Sequence, residues 1–266
     1  MHRLSLLGPN GQALSVVTSG SGPALMLVHG FPLDHRMWDE QLAQLSKRFR
    51  VICPELRGFG ASTLAEGASY RIGDLAEDLE FVGHSLAHDE PIALCGLSMG
   101  GYVAFEYWAR HPERLSQLVL TSTRPGLDAD AAKAGRRMMA EKALSAGTPA
   151  AVEGLDEKLL AAKSADHIRQ KTLEMMRSVA PEAIVAAQTA MVHRAGFEER
   201  LSEIQVPTLV LTGEQDQLAP PGPSKEWAAM IPKARFQSLP DCGHLSPIEQ
   251  PELFNQALVQ FLDGSR

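Results

Sequence analysis

The 266-residue sequence is poor in cysteine. It contains three cysteines, Cys53, Cys95 and Cys242, which are odd in number and far apart along the chain. This count argues against the disulfide framework of a small secreted protein and favours a reducing compartment. The three cysteines do not cluster with histidines at the spacings that zinc sites use. We therefore expect a protein without a bound metal.

The sequence also lacks long apolar segments and an excess of positive charge. No stretch approaches the roughly 18 uncharged apolar residues that a membrane-spanning helix needs, and the first residues do not resemble a secretory leader. Lysine and arginine number 25 against 32 acidic residues, a formal net charge of −7. This balance disfavours nonspecific binding to nucleic acid or to an anionic membrane. The sequence predicts a cytoplasmic protein with neither partner and leaves homo-oligomerisation open.

Short apolar runs alternate with longer amphipathic segments along most of the chain. After a predicted β-hairpin with its turn at Pro9, Asn10 and Gly11, the apolar runs are Ala24–Val28, Val51–Cys53, Ile92–Cys95, Leu118–Leu120, Thr208–Leu211 and Phe236–Leu239. The intervening helices are predicted around 36–47, 73–88, 99–111, 224–231 and 249–262. Continuous apolar runs separated by helices indicate parallel strands buried on both faces. The predicted fold is therefore α/β, with a doubly wound and mostly parallel sheet.

One region interrupts this alternation. Residues 123–200 are rich in alanine and methionine, show helical periodicity and carry no clear strand signal. A stretch of this length between two strands of a compact domain is not expected to be an unstructured loop. We interpret it as an inserted helical cap, which divides the rest into a first core part, 1–122, and a second core part, 201–266.

A Gly-x-Ser-x-Gly pattern follows one of the predicted buried strands. Residues 94–101 read Leu-Cys-Gly-Leu-Ser-Met-Gly-Gly, and an amphipathic helix follows them. In this context the pattern is typical of a sharp strand-to-helix turn that exposes a serine hydroxyl above the sheet, with small residues where the two backbones approach. Ser98 is therefore the predicted nucleophile.

A serine hydroxyl needs a base and an orienting carboxylate, and both have candidates directly after later strands. His244 lies between the last strand and the last helix; Ser246 and Glu249 fit a capping box for that helix, which would place His244 on the preceding loop. Asp216 is the preferred carboxylate, with Glu214 and Asp241 as alternatives. Because these positions follow parallel strands, we expect them at the same edge of the sheet as Ser98.

Two backbone N–H groups are candidates for an oxyanion hole. One belongs to Met99, directly after the serine, and the other to Phe31, in the segment His29-Gly30-Phe31-Pro32 after an early strand. Trp38, Met138 and Met139 are candidate substrate contacts. Ordinary core packing explains these three side chains almost as well.

Several of these segments resemble the α/β-hydrolase superfamily. The resemblance rests on His29–Pro32, the Arg57–Ser62 turn, Gly96–Gly101, the turn from Gly213 to Asp216, and Gly243-His244. It is strongest for small capped serine esterases and lactonases similar to 3-oxoadipate enol-lactonase, especially in Phe31–Trp38. The resemblance implies an α/β-hydrolase fold, a Ser98–His244–Asp216 triad, an acyl-enzyme intermediate and no cofactor.

The sequence therefore predicts a carboxylic ester hydrolase that acts on a small ester or lactone. A thioesterase, a carbon–carbon bond hydrolase or a perhydrolase would use the same triad. A non-catalytic small-molecule receptor is the alternative from another class of function, because this fold also serves as a binding module. A dehalogenase is disfavoured, since that chemistry needs a carboxylate at position 98.

Overall fold

A computed structural model describes residues 1–9 and 11–264. Within these residues the chain forms eight strands, which are β1 (His2–Leu7), β2 (Ala13–Ser19), β3 (Ala24–Val28), β4 (Arg50–Pro54), β5 (Ile92–Leu97), β6 (Leu115–Thr121), β7 (Thr208–Gly213) and β8 (Ala234–Leu239). β1 and β2 form the predicted antiparallel hairpin. Asn10 of its predicted turn lies outside the described residues.

The described residues also form eleven α-helices. They are α1 (Asp39–Leu45), α2 (Ile72–Ala87), α3 (Met99–Arg110), α4 (Asp130–Ala146), α5 (Thr148–Ala151), α6 (Leu155–Leu159), α7 (Asp166–Arg177), α8 (Pro181–Val192), α9 (Pro221–Ala228), α10 (Ser246–Glu249) and α11 (Pro251–Gly264). Short 3-10 helices span His35–Trp38, Pro112–Arg114 and Glu198–Glu203. No helix among the described residues is both long and apolar enough to cross a membrane.

The strands form one mixed sheet with the order β1-β2-β4-β3-β5-β6-β7-β8. Among the described residues, β2 pairs antiparallel with β1 and β4, while the pairs from β4 through β3 and β5 to β8 are parallel. This confirms the predicted α/β class with a mostly parallel sheet. The central strands β3, β5 and β7 are buried along their whole length, as their continuous apolar sequences require.

The register of the parallel strands brings their carboxyl ends level with one another. Val28 at the end of β3 pairs with Gly96 near the end of β5, and Leu97 pairs with Thr121 at the end of β6. At the far side, the last residues of β7 and β8, Gly213 and Leu239, pair with each other. The loops that follow these strands therefore emerge along one edge, where ligands bind in open α/β sheets.

Helices α4–α8 lie between β6 and β7 in the chain, and we call residues 130–192 the helical segment. The segment buries Ala143, Met175, Met176, Ile184 and Met191 as part of the hydrophobic core. The five helices agree with the helical periodicity of this region and with its lack of a strand signal. The division of the chain at 122/123 and 200/201 stays a prediction.

Two predicted helices near the carboxyl terminus differ from the observed ones. The helix predicted at 224–231 begins earlier, at Pro221, because proline at the first helical turn loses no intrahelical hydrogen bond. The helix predicted at 249–262 is replaced by the short α10 and by α11, which starts at Pro251. Proline cannot continue the preceding helix but can begin the next one.

Candidate active site

Ser98 occupies the turn between β5 and α3 in a conformation that serine rarely adopts. Its backbone angles are φ 55° and ψ −111°, a region that costs about 1–3 kcal/mol for a residue with a Cβ. The Ser98 N–H donates to the carbonyl of Thr121 at 2.9 Å, and the Ser98 carbonyl accepts from the Thr123 hydroxyl at 2.9 Å. The turn is thus anchored to the end of β6.

Glycines on either side of Ser98 allow this turn. A Cβ at position 96 would lie 2.2 Å from the carbonyl oxygen of Gly100, and a Cβ at position 100 would lie 2.4 Å from that of Val28. Both obstacles are backbone atoms, which cannot rotate away. The two outer glycines of the Gly-x-Ser-x-Gly pattern are therefore required by the close approach of strand and helix.

The structure places Asp216 and His244 in direct contact. His244 Nδ1 lies 2.9 Å from both carboxylate oxygens of Asp216, and both side chains are almost fully buried. The loops that carry them touch through backbone: a Cβ at Gly213 would meet the carbonyl oxygen of Gly243 at 2.0 Å. The alternatives Glu214 and Asp241 are both exposed. Asp216 is therefore the acid that the fold brings to the imidazole.

The electrostatics of this pair fix the histidine tautomer. Burial alone would raise the pKa of Asp216, but the adjacent imidazole of His244 and the N–H groups of Leu218 and Ala219 outweigh it and hold the pKa at about 2. An ionised carboxylate only accepts hydrogen bonds, so Nδ1–H of His244 is the donor. The lone pair on Nε2 is then free to accept a proton.

Ser98 and His244 line the same cavity, of about 310 Å³, beneath the helical segment. Nε2 of His244 is buried and has no hydrogen-bond partner among the described residues, so the Ser98 hydroxyl does not bond to it here. Contacts between base and nucleophile are often long without substrate and shorten when it binds. A volume of this size suits a small organic molecule.

Phe31 and Met99 lie where the oxyanion prediction needs them. Phe31 lines the cavity, and the preceding Gly30 is packed so closely that a Cβ there would lie 3.3 Å from the Cβ of Ser98. Met99 is the first residue of α3, where backbone N–H groups have no acceptor inside the helix. Their role as an oxyanion hole stays a prediction.

His29 is held as a structural residue. The Leu56 N–H donates to its Nε2 at 3.0 Å, which leaves Nδ1–H to donate to the Gly30 carbonyl at 3.0 Å. The ring is completely buried, and this burial lowers the pKa of His29. With both nitrogens engaged, His29 has no free lone pair for proton transfer.

Two of the three predicted substrate contacts lie outside the cavity that Ser98 and His244 line. Trp38 does not line the cavity, because it is fully buried against Phe254 with ring centroids 6.0 Å apart. Met138 points away on the exposed side of α4 and is 64% exposed. Met139, its neighbour, does line the cavity. Helical periodicity over 123–200 predicted helices in this region but did not identify which side chains face the serine.

The sequence analysis missed the positive charge of the cavity wall. Arg124, Arg136 and Lys158 line it, and the lining contains no acidic side chain of the described residues. Arg124 lies in the loop after β6, three residues past Thr121, so the rule that placed Asp216 and His244 after strand ends would have located it as well. Arg136 and Lys158 lie in the helical segment, where no such rule applies.

One buried carboxylate, that of Asp128, holds three arginines around this wall. It lies 2.7 Å from Arg124, 2.6 Å from Arg136 and 3.0 Å from Arg194. Burial would raise the pKa of Asp128, but hydrogen bonds and charges from Arg136 and Arg194 hold it at about 2. Because one carboxylate faces three guanidinium groups, the cluster carries two uncompensated positive charges. Arg124 Nε is moreover a buried donor without a partner among the described residues.

The predicted capping box before the last helix is wrong. Ser246 is itself the first residue of α10, and its buried hydroxyl has no partner among the described residues. Glu249 does reach back, but its Oε1 accepts from the N–H groups of Gly243 and Leu245 at 3.0 and 3.2 Å. These two residues flank His244, which does lie on a loop.

A possible metal site lies elsewhere in the fold. Among the described residues, one group has ligand atoms close enough to share an ion, namely Asp34, His35 and Glu55. Asp34 is already paired with Arg36, and Glu55 with Arg3 and with His35. A cation there would have to displace these guanidinium partners, so the donor set fits an internal ion-pair cluster better than a metal.

Comparisons with known proteins identify the family and the fold. Residues 23–251 match the profile of the alpha/beta hydrolase fold family. A thermophilic esterase from Thermogutta terrifontis, solved with malate bound, is 36% identical and superposes with a TM-score of 0.95 over 100% of this chain and 99% of its own. The AB hydrolase superfamily protein YisY of Bacillus subtilis is 31% identical, covering 93% of this chain and 94% of its own. The 3-oxoadipate enol-lactonase 1 of Acinetobacter baylyi is 27% identical, covering 98% and 97%.

Proposed function

This chain belongs to the alpha/beta hydrolase fold family, and on that premise we propose that it is a serine hydrolase cleaving a small carboxylic ester or lactone through an acyl-enzyme on Ser98. The observation that carries the proposal is the meeting, in one cavity, of a strained serine turn and a buried Asp216–His244 pair. One relative named as an esterase and one named as an enol-lactonase support the same class of reaction.

The proposed reaction has two halves. Ser98 Oγ attacks the carbonyl carbon while Nε2 of His244 takes its proton, and the N–H groups of Phe31 and Met99 stabilise the negative oxygen. His244 then protonates the departing alkoxide, which leaves an ester on Ser98. In the second half His244 removes a proton from water, the resulting hydroxide attacks the acyl-enzyme, and the acid is released as Ser98 regains its proton. Asp216 keeps the imidazole in one tautomer throughout.

The charge of the cavity indicates which esters fit. Arg124, Arg136 and Lys158 line it without an acidic neighbour in the lining, and the Asp128 carboxylate compensates only part of the guanidinium charge. Placing surplus positive charge in a partly enclosed site is costly unless an anion shares it. We therefore propose that the preferred ester or lactone carries a carboxylate or a similar anionic group.

A thioesterase, a carbon–carbon bond hydrolase and a perhydrolase remain alternatives on the same residues. A receptor is the alternative outside catalysis. Ligand binding needs neither the strain at Ser98 nor an ionised acid that orients an imidazole, so these two features favour an enzyme. A receptor would bind its ligand equally well after Ser98→Ala and show negligible turnover.

The test compares wild type with Ser98→Ala on 4-nitrophenyl esters of increasing acyl length at neutral pH. We expect wild-type turnover that falls by about 10⁴-fold or more in the variant, as for the loss of a catalytic nucleophile. The preferred chain length would measure the acyl side of the cavity. Equal release of nitrophenol by the two proteins would contradict the esterase proposal.

A further inference from the structure

The backbone of the His244 loop is held by a single carboxylate. Oε1 of Glu249 accepts hydrogen bonds from the N–H groups of Gly243, at 3.0 Å, and Leu245, at 3.2 Å. The N–H of His244 itself donates to the carbonyl of Leu159 in the helical segment, at 2.9 Å. Three consecutive backbone donors around the imidazole are thus fixed from outside the loop.

The second oxygen of Glu249 binds the helical segment. Oε2 accepts from the N–H of Ala161 at 2.8 Å and from the hydroxyl of Ser164 at 2.5 Å. No cation is paired with Glu249 among the described residues, so these four donors are its whole set of protein partners. One carboxylate therefore joins the loop that carries His244 to the chain just after α6.

The same part of the helical segment contributes to the cavity. Leu155, Lys158 and Leu159 line it, and Leu159 also accepts the hydrogen bond from the His244 backbone. The His244 loop packs directly against this stretch, since a Cβ at Gly243 would lie 2.7 Å from the N atom of Ala161. A shift of this stretch would move both the cavity wall and the His244 backbone.

We propose that Glu249 is a positioning residue, which sets the place of the His244 imidazole by joining its loop to residues 159–164. Glu249 does not line the cavity, so it acts through His244 and not on the substrate. The inference rests on the proposed function, in which His244 is the base for Ser98. If Glu249 has this role, the position of the helical segment affects proton transfer by His244 as well as the shape of the cavity.

The side-chain chemistry explains why a carboxylate is needed. Both oxygens of an ionised Glu accept, and all four partners donate. A glutamine of the same size has one accepting oxygen and an NH₂ group that only donates. Whichever way its amide turned, a glutamine at position 249 would direct N–H groups at a backbone N–H, so one of the two connections must break.

The experiment measures kcat and KM of Glu249→Gln and Glu249→Ala on a 4-nitrophenyl ester, at a temperature where circular dichroism shows both variants fully folded. We expect kcat to fall by about 10–100-fold, the size expected when a catalytic group is displaced by about 1 Å. KM should change less than kcat, because Glu249 itself does not line the cavity and the three lining residues of this stretch are held by other contacts as well. Glu252→Gln is the matched control; Glu252 is exposed, makes no ion pair among the described residues, and its loss should leave both constants unchanged.

A second variant tests the connection itself. Ser164→Ala removes one of the two bonds to the helical segment, and we expect a smaller fall in kcat that disappears when Glu249→Gln is already present, because interacting residues are not additive. Unchanged kcat in a folded Glu249→Gln, or additive effects in the double variant, would overturn the proposal. If Glu249→Gln does not fold, unchanged kcat in Ser164→Ala overturns it. Wild-type turnover that survives Ser98→Ala would instead contradict the proposed function.

Discussion

Replacing Arg136 with methionine tests the anionic preference most directly. Arg136 lines the cavity, and its Nε lies 2.6 Å from the Asp128 carboxylate. Methionine keeps most of the apolar stem and removes the charge. Asp128 retains Arg124 and Arg194 as partners, so the variant leaves no buried carboxylate unpaired and is expected to fold.

The expected size of the effect follows from the bond that would be lost. A hydrogen bond to a charged group contributes about 1.5–3 kcal/mol, which corresponds to a fall of about 10–150-fold in kcat/KM. This loss applies only to a substrate whose anion reaches Arg136. The kcat/KM of a neutral ester of the same length should change by less than about 3-fold, because a neutral acyl chain makes no hydrogen bond between charged groups with Arg136.

The assay uses two substrates with the same leaving group and the same number of acyl carbons, the 4-nitrophenyl monoester of glutaric acid and 4-nitrophenyl pentanoate. The ratio of their kcat/KM values cancels differences in active enzyme concentration. Arg137→Met is the matched control, because Arg137 is the next residue of α4, is exposed, and does not line the cavity. It removes the same charge from the protein as a whole, and its ratio should equal that of wild type.

The two possible failures have different meanings. An equal fall on both esters would show that Arg136 supports the cavity structurally and does not bind an anion. If Arg136→Met left kcat/KM unchanged on both esters, the reasoning from surplus charge would be refuted. Neither result would bear on Ser98 as nucleophile, which is tested separately.

Three further predictions concern the acid, the arginine cluster and the serine turn. Asp216→Asn should lower kcat by about 10⁴-fold in the nitrophenyl ester assay while the fold survives, because the wrong imidazole tautomer would face Ser98; a loss of less than about 10-fold would contradict this role. Asp128→Asn should lower the free energy of unfolding by about 3 kcal/mol in urea titrations, since it leaves buried guanidinium groups uncompensated. The folded-state pKa of Asp128, about 2, lies below its ordinary 3.8. Its ionised form therefore stabilises the fold fully above about pH 4, and the wild type should lose stability more steeply than the variant as the pH falls from about 4 to about 2. Gly96→Ala should fold poorly or lose more than about 2 kcal/mol, the cost of strained core overpacking, whereas Gly222→Ala, with open space around it, should be close to wild type by thermal unfolding.

The strands and the site residues at their ends could be predicted from the sequence because local patterns determine both. A continuous apolar run such as 208–211 indicates a buried parallel strand. Because the carboxyl ends of parallel strands lie at one edge of the sheet, the Asp216 that follows this run is expected near His244. The assignment of their catalytic roles stays a prediction. The structure confirms that they are neighbours, with His244 Nδ1 2.9 Å from Asp216 Oδ1.

The features that the sequence analysis misjudged are determined by how helices are oriented and packed, which local patterns do not show. Periodicity over 123–200 predicted a helical region but could not tell whether Met138 or Met139 lines the cavity, because that depends on the placement of the helical segment over the sheet. The capping-box pattern at Ser246 and Glu249 was ambiguous, because Pro251 starts a second helix two residues later. The arginine cluster was missed because Arg124 and Arg136 approach each other only through Asp128.

The position of β7 and β8 at one end of the strand order has a consequence for synthesis. Asp216 and His244 lie in the loops that follow these strands, and both strands are synthesised after β1–β6. Long-range pairing of this kind forms slowly, after the local structure is in place. A nascent or partly refolded chain can therefore complete the Ser98 turn well before a base exists to activate it. In the proposed mechanism such a chain is inert towards the esters around it, and hydrolysis begins only when β8 has paired with β7.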